Sequence, residues 1–432
     1  MTNAGSWSRS LLLLLIAVAA TAAGMGATYL AREGADPITS PEAKAGAIYG
    51  LTLLAVWLSL RFGKFRGDPY LLPVAGLLGG IGLVMTIRLE PDLQVIRDIA
   101  ISFGDRQLWY LVVGLLLIWG IAMLAPNPEI LAPYRYTILM GGFGLLAVTA
   151  VLGTEIQGAR LWLSFGPIVI QTTELAKLAL IVFLAAYLSE NLELVGTSWR
   201  LWRINLPPLP YLAPMVIMSG LCTVALMALN DLGTALLFFS LFMIMLFAAN
   251  GKAGHLLLGA GLFVVAFALA YLAVPRVRVR FDVWIDPWSD LVTGYQQIQA
   301  EYALAAGGFF GVGLGRGSPW LVPVVENDYI IAAIGEETGL LGIVVVLALY
   351  MVIATRGVLI ARRAPTPFLR LLATGLTAGI VVQAVIILAG VFRLMPLTGV
   401  TLPLVAYGGS SILVTAVMVG TLMRISSMGS RL

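Results

Sequence analysis

Residues 294–328 read GYQQIQAEYALAAGGFFGVGLGRGSPWLVPVVEND, and this stretch sets the terms for the rest of the chain. It is polar and glycine-rich, and it is expected to be a long loop. It ends on a carboxylate, Asp328, just where the next apolar run begins. Outward from it in both directions the sequence is almost continuously apolar. Of its 432 residues 60% are hydrophobic and 11% charged, and the mean hydropathy is +0.96. No water-soluble domain has that composition. Apolar runs of about 20 residues cross a bilayer as helices, because lipid offers no partner to an unpaired backbone group.

The fold class that follows is an all-α polytopic membrane protein with about twelve transmembrane helices. They are expected near residues 11–30, 45–62, 70–88, 107–124, 135–153, 174–189, 210–229, 232–249, 254–274, 329–354, 370–390 and 403–423. The long loop 275–328 falls between the ninth and the tenth. The first apolar run follows Arg9 and is longer than the core of a cleaved signal peptide, so an uncleaved signal-anchor is expected.

Charge sets the orientation. Arg61, Lys64 and Arg66 follow the second run, and Arg356, Arg362, Arg363 and Arg370 follow the tenth. An even number of helices precedes each cluster, so both lie on one side. The positive-inside rule makes that side cytoplasmic, places both termini there and puts loop 275–328 outside. Arg276, Arg278 and Arg280 run against the bias. They are read as interfacial side chains that snorkel or meet headgroup phosphates. The net charge of +4 is spread over connectors, which argues against nucleic acid as a partner. Cys222 is the lone cysteine and His255 the lone histidine, so a disulfide within the chain and a paired-histidine zinc site are excluded.

In this topology four helices begin on the outer side, each with polar residues. One opens Gln171-Thr172-Thr173-Glu174, with Lys177 a turn later. Another opens Asn230-Asp231, a third Glu326-Asn327-Asp328, and the last Tyr407-Gly408-Gly409-Ser410-Ser411. Four polar helix mouths at one depth suggest a single shared site, and their N-termini favour an anion such as phosphate. Glu174 and Lys177 share a helix face at i,i+3. They can lock two helices, or Lys177 can hold a diphosphate or a catalytic carboxylate. Asp231 can cap its helix or serve the site. The Tyr407–Ser411 run suits close packing, with substrate lining as the second use. Asp328 is either a cap or a general base to a sugar hydroxyl. The glycines from Gly311 to Gly317 superficially match a dinucleotide fingerprint, but the βαβ context that motif needs is missing, so a flexible surface or re-entrant loop is expected.

These segments, taken in order, resemble the SEDS family (shape, elongation, division, sporulation) of RodA/FtsW-type peptidoglycan glycosyltransferases. Gly158-Ala159-Arg160-Leu161-Trp162 and Gln171 through Lys177 are similar to the family's GARRWI…QPSEFAK. Asp231 through Ala235 resembles PDLGTA. Gly294-Tyr295-Gln296, Gln299 and Gly307 through Gly315 resemble GYQ..QS…GG..G.GLG. Asp328-Tyr329-Ile330 with Gly335-Glu336-Glu337 resembles DFIF…GEELG, and Pro396 through Gly399 with Tyr407 through Ser411 resembles PTKG…SYGGSS. The family's PSE is Thr172-Thr173-Glu174 here, and its PEAHTD is Pro323-Val324-Val325-Glu326-Asn327-Asp328, so Glu326 stands in for a displaced acid.

The resemblance implies a ten-helix core over 68–432, preceded by a two-helix prefix over 1–67, in a multi-pass protein of the bacterial cytoplasmic membrane. It implies polymerisation of lipid II into glycan strands at the outer face, with Asp328 as base and undecaprenyl diphosphate as leaving group. Lys177 and Arg160 are the expected partners of that diphosphate. Glu174, Gln171, Asp231, Gln296, Gln299, Glu326, Tyr407, Ser410 and Ser411 are the remaining expected substrate contacts. A class B penicillin-binding protein would supply crosslinking. A divalent cation (Mg or Mn) is compatible with this chemistry, although the sequence contains no dedicated metal cluster. The rivals are a lipid II flippase or transporter and a non-catalytic scaffold.

Overall fold

The computed structural model describes residues 4–31, 40–97, 102–156, 159–165, 168–191, 199–201, 204–206, 220, 231–251 and 253–429. Among these the main elements are helices. We number them α1 Ala4–Ala31, α2 Pro41–Phe62, α3 Leu71–Arg97, α4 Phe103–Leu124, α5 Arg135–Leu152, α6 Thr172–Glu190 and α7 Leu232–Asn250. They continue as α8 Ala253–Ala273, α9 Pro275–Ile285, α10 Leu291–Gly307, α11 Ile330–Arg363, α12 Pro367–Val391 and α13 Gly409–Gly429.

Ten helical segments among the described residues are long and apolar enough to cross a membrane. A further 21-residue helix, α8, occupies the place expected for the ninth crossing. The crossing expected over 210–229 lies, Gly220 apart, outside the described residues. The count of twelve is therefore met only in part.

The helices long and apolar enough to cross a membrane carry apolar residues on outward as well as inward faces, as a lipid-facing bundle requires. On α11, Ile343, Val346, Ile353 and Ile360 are buried, while Leu340, Val344, Met351 and Val358 point outward. The outward set has lipid for its solvent. The N-terminal pair is joined to the rest by specific bonds. Ser10 Oγ donates to Pro69 O at 2.6 Å and Tyr49 OH to Gly76 O at 2.6 Å, both buried.

Loop 275–328 departs most from expectation. Two helices fill much of it, α9 and the 17-residue α10. Asp290 caps α10 by accepting from Val292 N–H at 3.0 Å. Its inner face is Gly294, Gln297, Ile298, Ala300 and Ala303, a helical spacing that the glycines and glutamines of the quoted stretch had masked. The close approach of α10 to α11 depends on Gly307, where a Cβ would lie 1.9 Å from Gly335 O.

The glycine run after α10 is anchored on α11. That helix is interrupted at Gly339, which has φ +70°. The interruption frees backbone groups that cannot be left unpaired in a membrane. Val312 and Gly313 N–H donate to Glu336 O and Glu337 O at 2.9 and 3.0 Å, and Leu340 N–H donates to Gly308 O at 3.0 Å. Side chains fix the same loop. Ser318 N–H donates to Glu336 Oε1 at 2.7 Å, and Gly315 N–H to Glu337 Oε2 at 3.1 Å. Arg88, from α3, donates to Glu337 Oε1 at 3.0 Å and to Gly317 O at 3.2 Å. A loop expected to be flexible is thus held by a buried ion pair and by the break in its neighbour.

The last helix begins later than expected, at Gly409 rather than 403, because Leu402–Ala406 forms a turn in which Val405 and Ala406 N–H bond back to Leu402 O. The described residues of the connector after α5 form a three-stranded antiparallel sheet: β1 Thr154–Ile156, β2 Ala159–Phe165 and β3 Ile168–Gln171. A separate antiparallel pair joins β4 Trp199–Leu201 to β5 Ile204–Leu206.

Candidate active site

Asp328 stands at the head of α11 without capping it. The helix begins at Ile330 with Tyr329 at its N-cap position and no side-chain cap bond. The turn before it is tight: Val324 takes φ +57°, and Asn327 and Asp328 N–H both donate to Val324 O, at 3.1 and 3.2 Å. Neighbours fix this turn from two sides. Gln296 Nε2 donates to Pro323 O at 2.9 Å, and Tyr407 N–H donates to Glu326 O at 2.9 Å. Tyr329 OH, one residue on, donates to Gln297 Oε1 at 3.0 Å. Asp328 is therefore held in the lining of a cleft of about 320 Å³.

The opposite wall comes from α9. Arg276 and Arg280 are one helical turn apart and both line this cleft. Arg278, half a turn away, is exposed and donates to Leu272 O at 3.1 Å. Two of the three arginines read as interfacial thus face inward, and the third matches that reading. Alternation with valine suggested nothing of the kind, and only the helical period of α9 separates them.

Arg280 Nη1 donates to Thr398 O at 3.0 Å. A Cβ placed on Gly399, which has φ +75°, would lie 3.7 Å from both Arg280 Nη2 and Asp328 Oδ2. Glycine at 399 keeps the gap between cation and carboxylate open. Arg393 fastens α9 in place, its guanidinium donating to Trp284 O and Ile285 O, both at 2.8 Å, while Trp284 Nε1 donates to Arg393 O at 3.0 Å.

The electrostatics suit proton transfer. Burial raises Asp328 to about 7, and Glu326 and Asp231 add to that, while the positive charge of Arg280 opposes it. Arg280 is itself lowered, by burial and by Arg276 beside it. Burial also raises Asp231, with its bonds to Thr234 opposing.

The other expected site residues divide into groups. Asp231 is a helix cap, its carboxylate accepting from Thr234 N–H at 3.0 Å and from Thr234 Oγ1 at 2.6 Å, and it is close enough to Arg280 to stabilise that cation. Lys177 is 1% exposed and shares its ammonium between Glu174 Oε2 at 2.5 Å and Gln383 Oε1 at 2.6 Å. Gln383 in turn donates to Thr401 O at 3.0 Å. This closed set joins α6 to α12 and does not line the Asp328 cleft. Arg160 lies on β2, exposed, and pairs with Glu155 at 3.3 Å.

Gln171 N–H donates to Ser410 Oγ at 2.9 Å, and Thr401 Oγ1 donates to Ser411 Oγ at 2.9 Å. Tyr407 packs edge-on against Phe103 at 5.2 Å. These contacts fasten α13 to its neighbours. Glu326 is buried. Gln296 lines the cleft, whereas Gln299, half-buried on the same helix, is not part of its lining. The four polar helix mouths do meet, but along segment 398–411: Arg280 donates to Thr398 O, Gln383 of the Lys177 set to Thr401 O, Tyr407 N–H to Glu326 O, and Gln171 N–H to Ser410 Oγ. Among the described residues no cluster of three metal-ligating side chains occurs.

Comparison with known proteins gives the family of the chain. A family model described as a cell cycle protein, FtsW/RodA/SpoVE, matches residues 69–431. The peptidoglycan glycosyltransferase RodA of Mycobacterium leprae is 36% identical over 386 residues, covering 88% of this chain and 82% of the relative. A probable peptidoglycan glycosyltransferase FtsW of Halomonas elongata is 36% identical over 296 residues, covering 67% of this chain and 72% of the relative. The rod shape determining protein RodA of Thermus thermophilus superposes with a TM-score of 0.58 at 27% identity, over 83% of this chain and 96% of that one. A chain from work on the structural coordination of polymerization and crosslinking by a peptidoglycan synthase complex gives 0.67 at 27% identity, over 84% and 98%.

Proposed function

The chain belongs to the FtsW/RodA/SpoVE family of cell cycle proteins, and from that premise we propose that it is a peptidoglycan glycosyltransferase that polymerises lipid II, with Asp328 as general base. The observation that carries this is the uncommitted carboxylate: Asp328 caps no helix, lines a cleft and faces Arg280 across Gly399.

The acceptor's sugar hydroxyl gives its proton to Asp328 as its oxygen bonds to the donor's anomeric carbon. The bond from that carbon to the diphosphate breaks on the opposite side, so the centre inverts. Undecaprenyl diphosphate leaves with the bonding electron pair. A base near 7 is matched to this task, being largely ionised just above neutrality yet still a competent proton acceptor. The leaving group needs positive charge, and Arg276 and Arg280 are better placed to give it than Lys177 or Arg160, since they share the cleft with the base. A divalent cation, where one takes part, would be held chiefly by the diphosphate.

The site faces the outer leaflet in this proposal. Arg356, Arg362 and Arg363 lie in the last turns of α11, at the opposite end from Asp328, and mark the cytoplasmic side together with both termini. A class B penicillin-binding protein is the proposed partner, in keeping with the synthase complex that supplies a structural neighbour.

The test is glycan polymerisation from lipid II by the purified protein, with and without that partner, for wild type and Asp328→Asn. Polymer from wild type and at least a hundredfold less from the folded variant is expected, since removing a general base costs about 10²–10⁴ in rate. Equal rates would remove Asp328 as the base. Movement of lipid II between leaflets without polymer would turn the assignment to a flippase.

A further inference from the structure

At the other end of α11 lies a second cleft, of about 390 Å³, that the polymerisation chemistry does not use. Arg66, Arg356 and Arg363 line it together with Asp68, giving three guanidinium groups against one carboxylate. The 34 residues of α11, roughly 50 Å of helix, separate it from Asp328.

The three arginines differ in their commitments. Arg356 is spent, its Nε donating to Asp68 Oδ2 at 2.6 Å while its guanidinium lies 4.6 Å over the Tyr70 ring. Asp68 is fully engaged as well, accepting from Tyr70 N–H at 2.9 Å through its other oxygen. Arg66 and Arg363 have no side-chain hydrogen bond or ion pair among the described residues, and both are exposed. Two uncommitted cations therefore flank a floor whose own charges are balanced.

The floor is built for close approach. Gly67 sits where a Cβ would fall 2.4 Å from Ser426 Oγ, and Asp68 N–H donates to that same Oγ at 2.8 Å. Leu359, Ile360 and Ile425 supply an apolar wall beside the arginines. The cleft lies where α11 and α13 end, which the positive-inside reading sets at the cytoplasmic membrane interface.

We propose that this cleft binds the phosphate of an anionic phospholipid headgroup, with Arg66 and Arg363 on the phosphate oxygens and the lipid's glycerol and upper acyl carbons on the apolar wall. Guanidinium groups match phosphate oxygens in paired hydrogen bonds. Basic pockets between membrane helices at the interface are suited to such headgroups. A soluble phosphate shares the charge but has nothing to place on Leu359, Ile360 and Ile425. The site would fasten the ends of α11 and α13 to the leaflet opposite the catalytic cleft.

The test uses full-length protein in neutral detergent, titrated with short-chain phosphatidylglycerol, short-chain phosphatidylcholine or inorganic phosphate and followed by thermal unfolding. For wild type, phosphatidylglycerol at a hundredfold excess over its dissociation constant is expected to raise the midpoint by about 4 °C. Phosphatidylcholine and inorganic phosphate are expected to give less than half of that. Arg66→Gln with Arg363→Gln is expected to lose most of the shift, while Lys64→Gln, which removes a nearby charge outside the cleft, keeps it. Both arginines are exposed and unpaired, so the double variant should fold, and polymerisation by it in detergent reports that it has. An undiminished phosphatidylglycerol shift in the double variant, or an equal loss in Lys64→Gln, would overturn the site. An equal shift from inorganic phosphate would overturn the lipid.

Discussion

Replacing Arg280 with glutamine removes a positive charge from beside the proposed base, and the consequence can be worked from the structure. Arg280 Nη2 and Asp328 Oδ2 both lie 3.7 Å from one point, the Cβ position of Gly399, so they are no more than twice that distance apart. At that spacing a pair of unit charges is worth about 2 kcal/mol with an effective dielectric of ~20. That is about 1.5 pH units on the carboxylate. The sign follows from the chemistry. The base works as a carboxylate, so activity is present above its pKa and lost as pH falls through it. Asp328 is already raised to about 7 by burial, with Arg280 holding it down. Without Arg280 it rises further, and the acid limb of activity moves from near 7 to about 8.5.

At pH 7 this titration alone lowers the rate about 15-fold. The assay is polymerisation of lipid II across pH 5.5–9.5, with single-turnover rates taken at saturating protein. The plateau separates two roles. Titration alone leaves the variant's plateau at the wild-type level, whereas a deficit that persists at high pH measures what Arg280 gives to the departing diphosphate. Arg280→Lys keeps the charge and should restore most of the acid limb. An acid limb in Arg280→Gln that coincides with wild type, in a protein that is folded, would refute the reasoning, because it would mean that Asp328 is not the titrating base or that Arg280 does not act on it.

Other perturbations test the scaffold. Glu337→Leu strips Arg88 of the more buried of its two carboxylate partners, leaving Asp92 at 2.6 Å, and strips Gly315 N–H of its acceptor, so a loss of about 2 kcal/mol is expected, read as a lower melting temperature and faster tryptic cleavage after Arg316. Gly339→Ala forces a Cβ to within 2.3 Å of Gly311 N at a φ of +70°, and should cost more than about 2 kcal/mol and yield little monodisperse protein on size exclusion. Lys177→Met alone should unfold the chain more readily than Lys177→Met with Glu174→Gln, because the single change leaves Glu174 buried without its cation. If the Lys177 set is structural, the folded double variant keeps its polymerisation rate within about threefold of wild type.

The class of the fold was legible because lipid imposes a simple rule, about twenty apolar residues per crossing, and the apolar runs of α2, α4, α7 and α12 obey it within a few residues. The rule fails where polar residues are buried inside the bundle. Arg88, Glu90 and Asp92 made α3 look shorter than its span of Leu71–Arg97, because a charge paired with α11 is indistinguishable in sequence from one that reaches water. The same blindness hid α10, whose glycines and glutamines are contact residues rather than loop residues.

Asp328 stands out in the sequence for a different reason: a carboxylate at the edge of a long apolar run has a cost, and a cost without a visible partner points to use, which is the ground for proposing it as the base. Lys177 satisfied that same criterion, yet its partner Gln383 lies more than two hundred residues away, and only the packing of α6 on α12 reveals that its charge is already committed. Arg280 is the converse case. It sits in a helix too polar to be read as membrane-crossing and too short to be read as amphipathic. Its proposed role rests on a proximity to Asp328 that no local pattern encodes, and that proximity is set by Thr398, Gly399 and Arg393, residues of a connector between two other helices. In this chain, then, unpaired charge in the sequence nominates candidate residues for the proposed chemistry, while the long-range contacts that separate committed charges such as Lys177 from open ones such as Asp328 exist only after folding.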